Sequence, residues 1–581
     1  MKEKLQTFKE YIELLKCKIL DNKYDLLNIV LFSGIVVLLS CLTANHSVFF
    51  VDKGREFLIP QEILNGQVPY KDILLIYFPL AYYINAFIYK LLGVSINSLI
   101  ISQTLLCTIF VAFFYFCARL FLERKCSFWL TLLIIVSCIF QQTNDLFNYI
   151  MPYSYARTYG VMSFFCCMFC FLKLFKTDKI QYLYLASFIA GFCASCKLEF
   201  MSVYLLLIIG LFLYKKLKIS EYIKVFCLSS VVPILVVITL FLQGVTIDNL
   251  IPIIKFCSIF AQTDVMKNFL THSGMYPQHY IYILDYILKN TSLLILIVAF
   301  CFFALIVKTR LRALYVFFIA ILIWHFYYDS YKLCCIWAFL PYYVLYFTVV
   351  RFKELQKNDK PFLLLLIASI LISQREFFLL QLTCYGTYSF VFLALSLSAI
   401  IFYYITKFNY KLPIKKLFLF VCIILIGLYS YSIIDKCLAT NFKVQTRKGT
   451  ISLNYQQYIA IQSMFYYIYK YVNVHESVLV LPEGNMVNFL AERHVGMYCF
   501  MMDRLYHDAY GEKQAMNMVK KADNDYIILV QGFGIYPFES PFLYESGANL
   551  LSEYIENNYN IEKEYNCEVG SFTILKRKDK I

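Results

Sequence analysis

NHSVFFVDKGREFLIPQEILNGQVPYKDILLIYFPLAYYINAFIYKLLG, residues 45–93, follows the first apolar run and mixes carboxylates (Asp52, Glu56, Glu62, Asp72) with cations (Arg55, Lys71) and turn residues (Pro60, Gly66, Pro69). Its second half, 73–92, has about the 20 mainly apolar residues that a bilayer span needs. Whether that half crosses decides the side on which every later loop lies.

The surrounding chain is membrane-like. Its 581 residues are 60% hydrophobic and only 16% charged, outside the balance of soluble globular domains. Long continuous apolar runs give helices, not a barrel, because a lone helix satisfies its own backbone in lipid. The formal charge of +15 does not mark a nucleic-acid partner. The lysines and arginines stand in short clusters between apolar runs, where the positive-inside rule puts them. Most of the 21 cysteines lie within apolar runs, such as Cys166, Cys167 and Cys170, where Cys acts as a small hydrophobe. No zinc-like spacing stands out.

Apolar runs place about thirteen transmembrane helices, near 26–44, 97–119, 127–143, 158–176, 181–196, 198–214, 222–243, 291–307, 311–327, 332–349, 362–379, 384–406 and 415–433. The run 73–92 is left out. Were it to cross, the basic turns at Arg119/Arg124/Lys125, Lys173/Lys176/Lys179, Lys215/Lys216/Lys218, Lys308/Arg310/Arg312, Arg351/Lys353 and Lys407/Lys411 would all face outward, against the charge rule. It therefore reads as an interfacial or re-entrant helix, its aromatic residues Tyr77, Phe78, Tyr82, Tyr83, Phe87 and Tyr89 at the headgroups. The expected architecture is a polytopic α-helical membrane protein of the cell membrane, with juxtamembrane helices in a first outer loop, 45–96. A cytoplasmic amphipathic lead, 1–25, precedes the transmembrane domain, 26–434. From about 435 the apolar runs shrink to strand length, and 435–581 reads as a small extracytoplasmic α/β domain: strands at VLVL 478–481 and DYIILV 525–530, a helix at 550–559, and a closing strand or hairpin at 568–576.

Ionisable residues near membrane depth are functional candidates by default. Asp52 follows the apolar VFFV, so its carboxylate can act as a general base or cap the helix expected from Gly54 to Asn65. Glu56 lies one turn on, Arg55 beside it, and Pro69, Tyr70, Lys71 and Asp72 read as a turn that folds the loop back. The loop 144–157 offers Asp145 and Arg157. Lys197 stands with Glu199 between two spans, either as an ion pair or as a phosphate contact. The loop 244–290, with His272 and His279, has the length of a substrate lid, although paired surface histidines are the simpler reading.

The pattern DxGRE, P, ILxGQxPYxD, PLxYYxxAxxxKLxG resembles the first outer loop of GT-C membrane glycosyltransferases, in particular bacterial relatives of the dolichyl-phosphate-mannose protein mannosyltransferases and of the lipid A aminoarabinose transferase. The resemblance implies an inverting transferase of the cell envelope that moves a sugar from a polyprenyl-phosphate donor to a hydroxyl of a glycan, lipid or protein acceptor. It implies Asp52 as the catalytic carboxylate and Asp145 as a second acidic residue. Arg55, Glu56, Tyr70, Lys71, Arg157, Lys197, His272 and His279, with Arg375, are then the substrate and phosphate contacts. No metal is required by the spacing, though Asp52, Glu56 and Asp145 could ligate Mg or Mn. PEGNMVNFLAER, 482–493, resembles a recurrent stretch of the same relatives, with Glu483 and Asn485 as fold residues. The rival readings are a ligase or polymerase of lipid-linked glycans, and a lipid-linked-sugar flippase or other transporter; a transporter should show internal repeats and mid-span charges, whereas the charges here sit at span ends.

Overall fold

The computed structural model describes residues 2–47, 53–141, 148–215, 217–264, 339–377, 382–408, 413–495, 511–532, 550–567 and 570–580, with a few single positions between 267 and 337. The expected span at 311–327 falls outside these residues and the one at 291–307 is described only at scattered positions, while Asp52, Asp145, His272 and His279 lie outside them.

The described chain is mainly helical. The helices are α1 (Lys2–Thr43), α2 (Lys53–Leu64), α3 (Leu80–Leu92), α4 (Ile96–Ala118), α5 (Arg124–Ile134), α6 (Tyr155–Thr177), α7 (Gln181–Cys196), α8 (Ser202–Leu213), α9 (Ile219–Leu242), α10 (Ile247–Gln262), α11 (Leu340–Asn358), α12 (Lys360–Ile372), α13 (Leu382–Phe408) and α14 (Ile414–Ala439). Among the described residues, six helices are long and apolar enough to cross a membrane, and α7, α12 and the Leu198–Leu213 stretch are shorter apolar helices. The lead 1–25 is continuous with the first span as one 42-residue helix.

α1 and α4 run antiparallel. Ser40 Oγ meets Thr104 Oγ1 at 2.6 Å near one end, and Tyr115 Oη donates to Asp25 at 2.6 Å near the other. Asp25 also pairs with Arg119 at 3.4 Å and Arg124 at 3.3 Å. The stretch 45–95 therefore leaves and returns at the same end of the bundle. Within it, the helical part of 73–92 is α3, with 13 residues, about 20 Å at 1.5 Å per residue, too short for the 30 Å hydrocarbon core.

The expectation of an aromatic belt on 73–92 is corrected. Tyr82 and Tyr89 are buried inside the protein, and Phe87 alone of that set is strongly exposed. Buried partners claim the rings: Tyr82 donates to Glu56, and Tyr89 stacks 6.3 Å from Phe489. The reading of 244–290 as an irregular loop is corrected in its first part, which is α10, opened by a capping box at Thr246 and Asn249.

Small residues let helices approach closely. A Cβ on Gly191 of α7 would sit 2.2 Å from the Ser229 carbonyl of α9, and one on Gly160 of α6 would sit 2.1 Å from the Phe200 ring.

The tail forms an antiparallel hairpin, β1 (Phe442–Thr446) with β2 (Gly449–Leu453), then α15 (Tyr455–Tyr471) and a four-stranded mixed sheet. Its order is β3 (Val478–Leu481), β4 (Tyr526–Gly532), β6 (Gly570–Arg577), β5 (Tyr559–Cys567), with β3 and β4 parallel and the rest antiparallel. α16 (Asn485–Ala491), α17 (Glu512–Ala522) and α18 (Leu550–Asn558) accompany it. The strands expected at 478–481 and 525–530 are β3 and β4. The tail docks on the bundle through α16. A Cβ on Gly54 of α2 would meet Met486 N at 2.3 Å, and Phe57 of α2 lies 5.4 Å from Phe489.

Candidate active site

Helix ends converge at the tail end of the bundle. Arg157 lies in the first turn of α6, Lys197 caps the C-terminus of α7, Glu199 sits in the 3₁₀ turn Leu198–Met201, and Arg375 stands in the turn after α12. Gly160 brings them together. Its bare Cα accepts the Phe200 ring, which seats the Glu199 turn against α6 one turn from Arg157. Three cations then face one carboxylate: Arg375 Nη1 at 3.1 Å from Glu199 Oε2, Arg157 Nη1 at 3.6 Å and Lys197 Nζ at 3.7 Å from Oε1. Lys197 also donates to Tyr153 Oη at 3.2 Å, and Gln374 donates to the Glu199 carbonyl at 2.7 Å.

A cation in the first turn of a helix opposes the macrodipole, so Arg157 depends on its partners. It lies 4.8 Å over the Tyr388 ring as well as beside Glu199. Lys197 is placed the favourable way, at a helix C-terminus. Burial pushes the Glu199 carboxyl up, but Arg157, Lys197 and Arg375 outweigh it and hold it down at about 2. Glu376, in the same turn as Arg375, accepts from Ser389 Oγ at 2.8 Å. Its burial outweighs the nearby Arg157 and raises it to about 7.

A second carboxylate, Glu56 of α2, adjoins this group and is fully buried. It accepts from Tyr82 Oη at 2.8 Å and from the Tyr155 amide at 2.9 Å, so it closes the N-terminus of the helix that carries Arg157. Burial raises its proton affinity, and Arg55, with Nε 3.5 Å away, partly offsets that. Tyr77 joins the two groups through its ring, with the Arg55 guanidinium 4.8 Å and Lys197 Nζ 5.1 Å from the centroid. Lys53, at the start of α2, is fully buried beside them in sequence.

Of the residues singled out from sequence, the structure brings together Arg55, Glu56, Arg157, Lys197 and Arg375. Tyr70 and Lys71 have other places. Tyr70 adopts φ 71° in the turn and donates to the Tyr77 carbonyl at 2.8 Å. Lys71 is exposed, with Nζ beside Gly244. The ion-pair reading of Lys197 with Glu199 holds, but Glu199 serves two further cations. Glu376 and the ring contacts of Tyr77 and Tyr388 escaped the sequence reading. The signal for Glu376 was present, an adjacent Arg-Glu pair at the end of an apolar run.

Among the described residues no three His, Cys, Asp or Glu side chains converge as a metal site. Glu56, one of three residues considered for Mg or Mn, has one oxygen on Tyr82 and the other on Tyr155.

No protein-family model matches the chain, and no curated protein matches it. Some solved structures are similar at low identity. The oligosaccharyltransferase of Archaeoglobus fulgidus in its apo form is 13% identical over 87% of this chain and 69% of its own, with a TM-score of 0.47. The same enzyme tethered to an acceptor peptide containing the NVT sequon gives 13%, 87%, 69% and 0.46. ArnT from Cupriavidus metallidurans bound to undecaprenyl phosphate is 10% identical over 94% of this chain and 97% of its own, with a TM-score of 0.43.

Proposed function

We propose that the chain is an inverting glycosyltransferase that moves a sugar from a polyprenyl-phosphate donor to an acceptor hydroxyl at the outer face of the membrane. The observation that carries this reading is the convergence of Arg157, Lys197 and Arg375 from three separate helix ends on one partly buried anion, Glu199. Such a group is expensive to build in a membrane protein and suits a phosphate, whose oxygens accept charge-assisted hydrogen bonds from several cations at once. The sequence resemblance of 45–93 supports the same reading.

In this mechanism the acceptor oxygen attacks the anomeric carbon as the bond from that carbon to the phosphate oxygen breaks. The bonding pair leaves with the phosphate, and the acceptor proton passes to a base. Phosphate is already a good leaving group, so no general acid is needed, unlike the carboxylate pair of glycoside hydrolysis. Arg157, Lys197 and Arg375 stabilise the charge that grows on the departing phosphate, an effect strengthened where water is excluded. Asp52, one residue before α2, takes the base role that the resemblance gives it. Glu56 is a positioning residue, its oxygens committed to holding α2 against α6. Asp145, His272, His279, Tyr70 and Lys71 remain candidates for acceptor or donor contacts. The acceptor is a glycan, lipid or protein, and Mg or Mn is not required by this chemistry.

The test supplies purified protein with radiolabelled polyprenyl-phosphate sugars and a mixture of envelope acceptors. Wild-type protein transfers label. Asp52→Asn lowers the rate by about 10² or more, the range for loss of a general base; transfer untouched by that substitution rules out the mechanism.

A further inference from the structure

α15 is apolar on two faces. One face, with Ala460, Ile461, Met464, Phe465 and Ile468, is buried in the tail, as in any amphipathic helix. The opposite face follows the helical spacing 455, 459, 462, 466 and 469, and a water-facing surface there would be polar. It instead presents Tyr455, Ile459, Tyr466 and Tyr469, exposed by 58%, 42%, 57% and 41%. Among the described residues, that face carries Lys470 and no carboxylate. A contiguous exposed stripe of this kind marks an interaction surface.

Two ties lay the β1–β2 hairpin across the tail end of the bundle. Between α14 and β1, Thr440 meets His46 of the 3₁₀ turn after α1 at 2.9 Å, and at the hairpin turn the Lys448 carbonyl accepts from Ile96, at the start of α4, at 2.8 Å. α15 follows β1 from end to end. Tyr455 lies 5.1 Å from Phe442 at one end, and at the other Tyr469, Tyr471 and Asn473 share a groove of about 820 Å³ with Gln445, Thr446 and Arg447. The helix, 17 residues and about 25 Å long, therefore runs along the membrane surface. Its stripe continues the outward side of α14. Ile434 and Leu438, near the end of that span, are 57% and 69% exposed, and the half-buried Phe442 links them to the rings of Tyr455 and Tyr458. Tyrosine beside lysine is the composition of the headgroup layer, where the ring takes the apolar side while the hydroxyl and ammonium stay wet. Lys470 donates to Tyr466 Oη at 2.9 Å, and Arg447, 3.4 Å from Glu492, brings a second cation to the groove.

We propose that α15 is an interfacial helix: its tyrosine face lies in the headgroup layer beside α14 and takes phospholipid as its partner, with the groove at its C-terminal end open to lipid headgroups. Tyr469 Oη donates to the Leu490 carbonyl of α16 at 3.0 Å. A bilayer that holds α15 thus fixes the height of α16 above the membrane, and through the contact of α16 with α2 it fixes the first outer loop as well.

The experiment places the photo-crosslinking amino acid p-benzoylphenylalanine at single positions of the full chain. The protein is reconstituted in vesicles of phosphatidylglycerol and phosphatidylethanolamine that carry a tritiated phosphatidylethanolamine tracer. Substitution at Leu438, on the outward side of α14, sets the labelling of a residue in contact with lipid, and substitution at Lys520, exposed on α17, sets the background. Substitutions at Ile459 and Tyr466 are expected to attach phospholipid at a level near that of position 438 and about tenfold above position 520. Labelling at the background level overturns the proposal. A covalent dimer of the chain in place of attached lipid overturns it in favour of a second copy. Attachment of an envelope glycan, added in a parallel reaction, in place of lipid overturns it in favour of a saccharide surface. If the substitution at Tyr466 prevents folding, Tyr455 on the same face takes its place, with the same outcomes.

Discussion

Glu199 and Glu376 both interact with Arg157, yet their proton affinities are displaced in opposite directions. Glu199 is governed by its three cations. Glu376 has burial against it, with Arg157 and the Ser389 hydroxyl favouring its charged form and Glu199 opposing it. The consequences for stability fall in different pH windows. The folded proton affinity of Glu376 is raised from 4.5 to about 7, so the stability its proton confers is complete below 4.5 and is lost as pH rises through 7. Glu199 works the other way, its contribution present above 4.5 and lost as pH falls toward 2. Between pH 4.5 and 7 the wild-type protein should therefore lose roughly 3 kcal/mol that traces to Glu376, at 1.36 kcal/mol per unit. Glu376→Gln should flatten this slope and leave the acid limb in place. Denaturant titrations of both proteins at a series of pH values check it; equal slopes would show that Glu376 does not titrate there.

At the scale of elements, α2 is held between two neighbours. On one side Glu56 reaches Tyr82 of α3 and Tyr155 of α6; on the other, Gly54 and Phe57 meet Met486 and Phe489 of α16. The glycine permits that second contact, because a Cβ at 54 would lie 2.3 Å from a backbone nitrogen that cannot rotate away. Gly54→Ala is expected to cost about 1–3 kcal/mol, the range for overpacking, and to slow sugar transfer by displacing the chain at Asp52. Gly34→Ala in α1, where nothing lies within 4 Å, should be neutral or gain up to about 1 kcal/mol from helix propensity. Melting temperatures of the pair decide the matter, since equal shifts would mean that the α2 and α16 contact is not tight. The sequence made α2 legible through its turn residues and carboxylates, and made β3 and β4 legible through strand-length apolar runs. It could not show α2 meeting α16, because 54 and 486 are brought together by tertiary packing that leaves no local period. For the same reason Arg157, Lys197 and Arg375 were legible as cations at run ends but not as one group around Glu199.

In the whole molecule the charges are sorted by end. Asp178 pairs with Lys215 at 2.7 Å, Lys360 donates to the Tyr214 carbonyl at 3.4 Å, Glu354 holds Arg351 at 3.1 Å and also Lys407, and Lys415 meets Glu123. These contacts tie the basic turns to one another at the end where Asp25 binds Arg119 and Arg124. The Glu199 group, α2, α3 and the tail lie at the other end, where His46 meets Thr440 at 2.9 Å and the Ile96 amide donates to the Lys448 carbonyl at 2.8 Å. Counting charges along the sequence reached this sorting because the positive-inside rule acts on clusters close to span ends, and it needed 73–92 to return to its own side. A membrane-impermeant thiol reagent tests that return. Asp72→Cys and Lys90→Cys, both exposed positions before and within α3, should react from the same face of sealed vesicles, and Lys179→Cys, in the turn beyond α6, only from the opposite face. The exposed Cys41, Cys227 and Cys257, together with Cys17, Cys334, Cys335, Cys384, Cys499 and Cys567, are replaced by Ser first, so that the new thiols are read against a background without them. Positions 72 and 90 labelled from opposite faces would make α3 part of a crossing segment. That outcome would place the Glu199 group and the basic turns on sides that no assignment by charge can reconcile, and with it the outer-face chemistry proposed for this chain would fall.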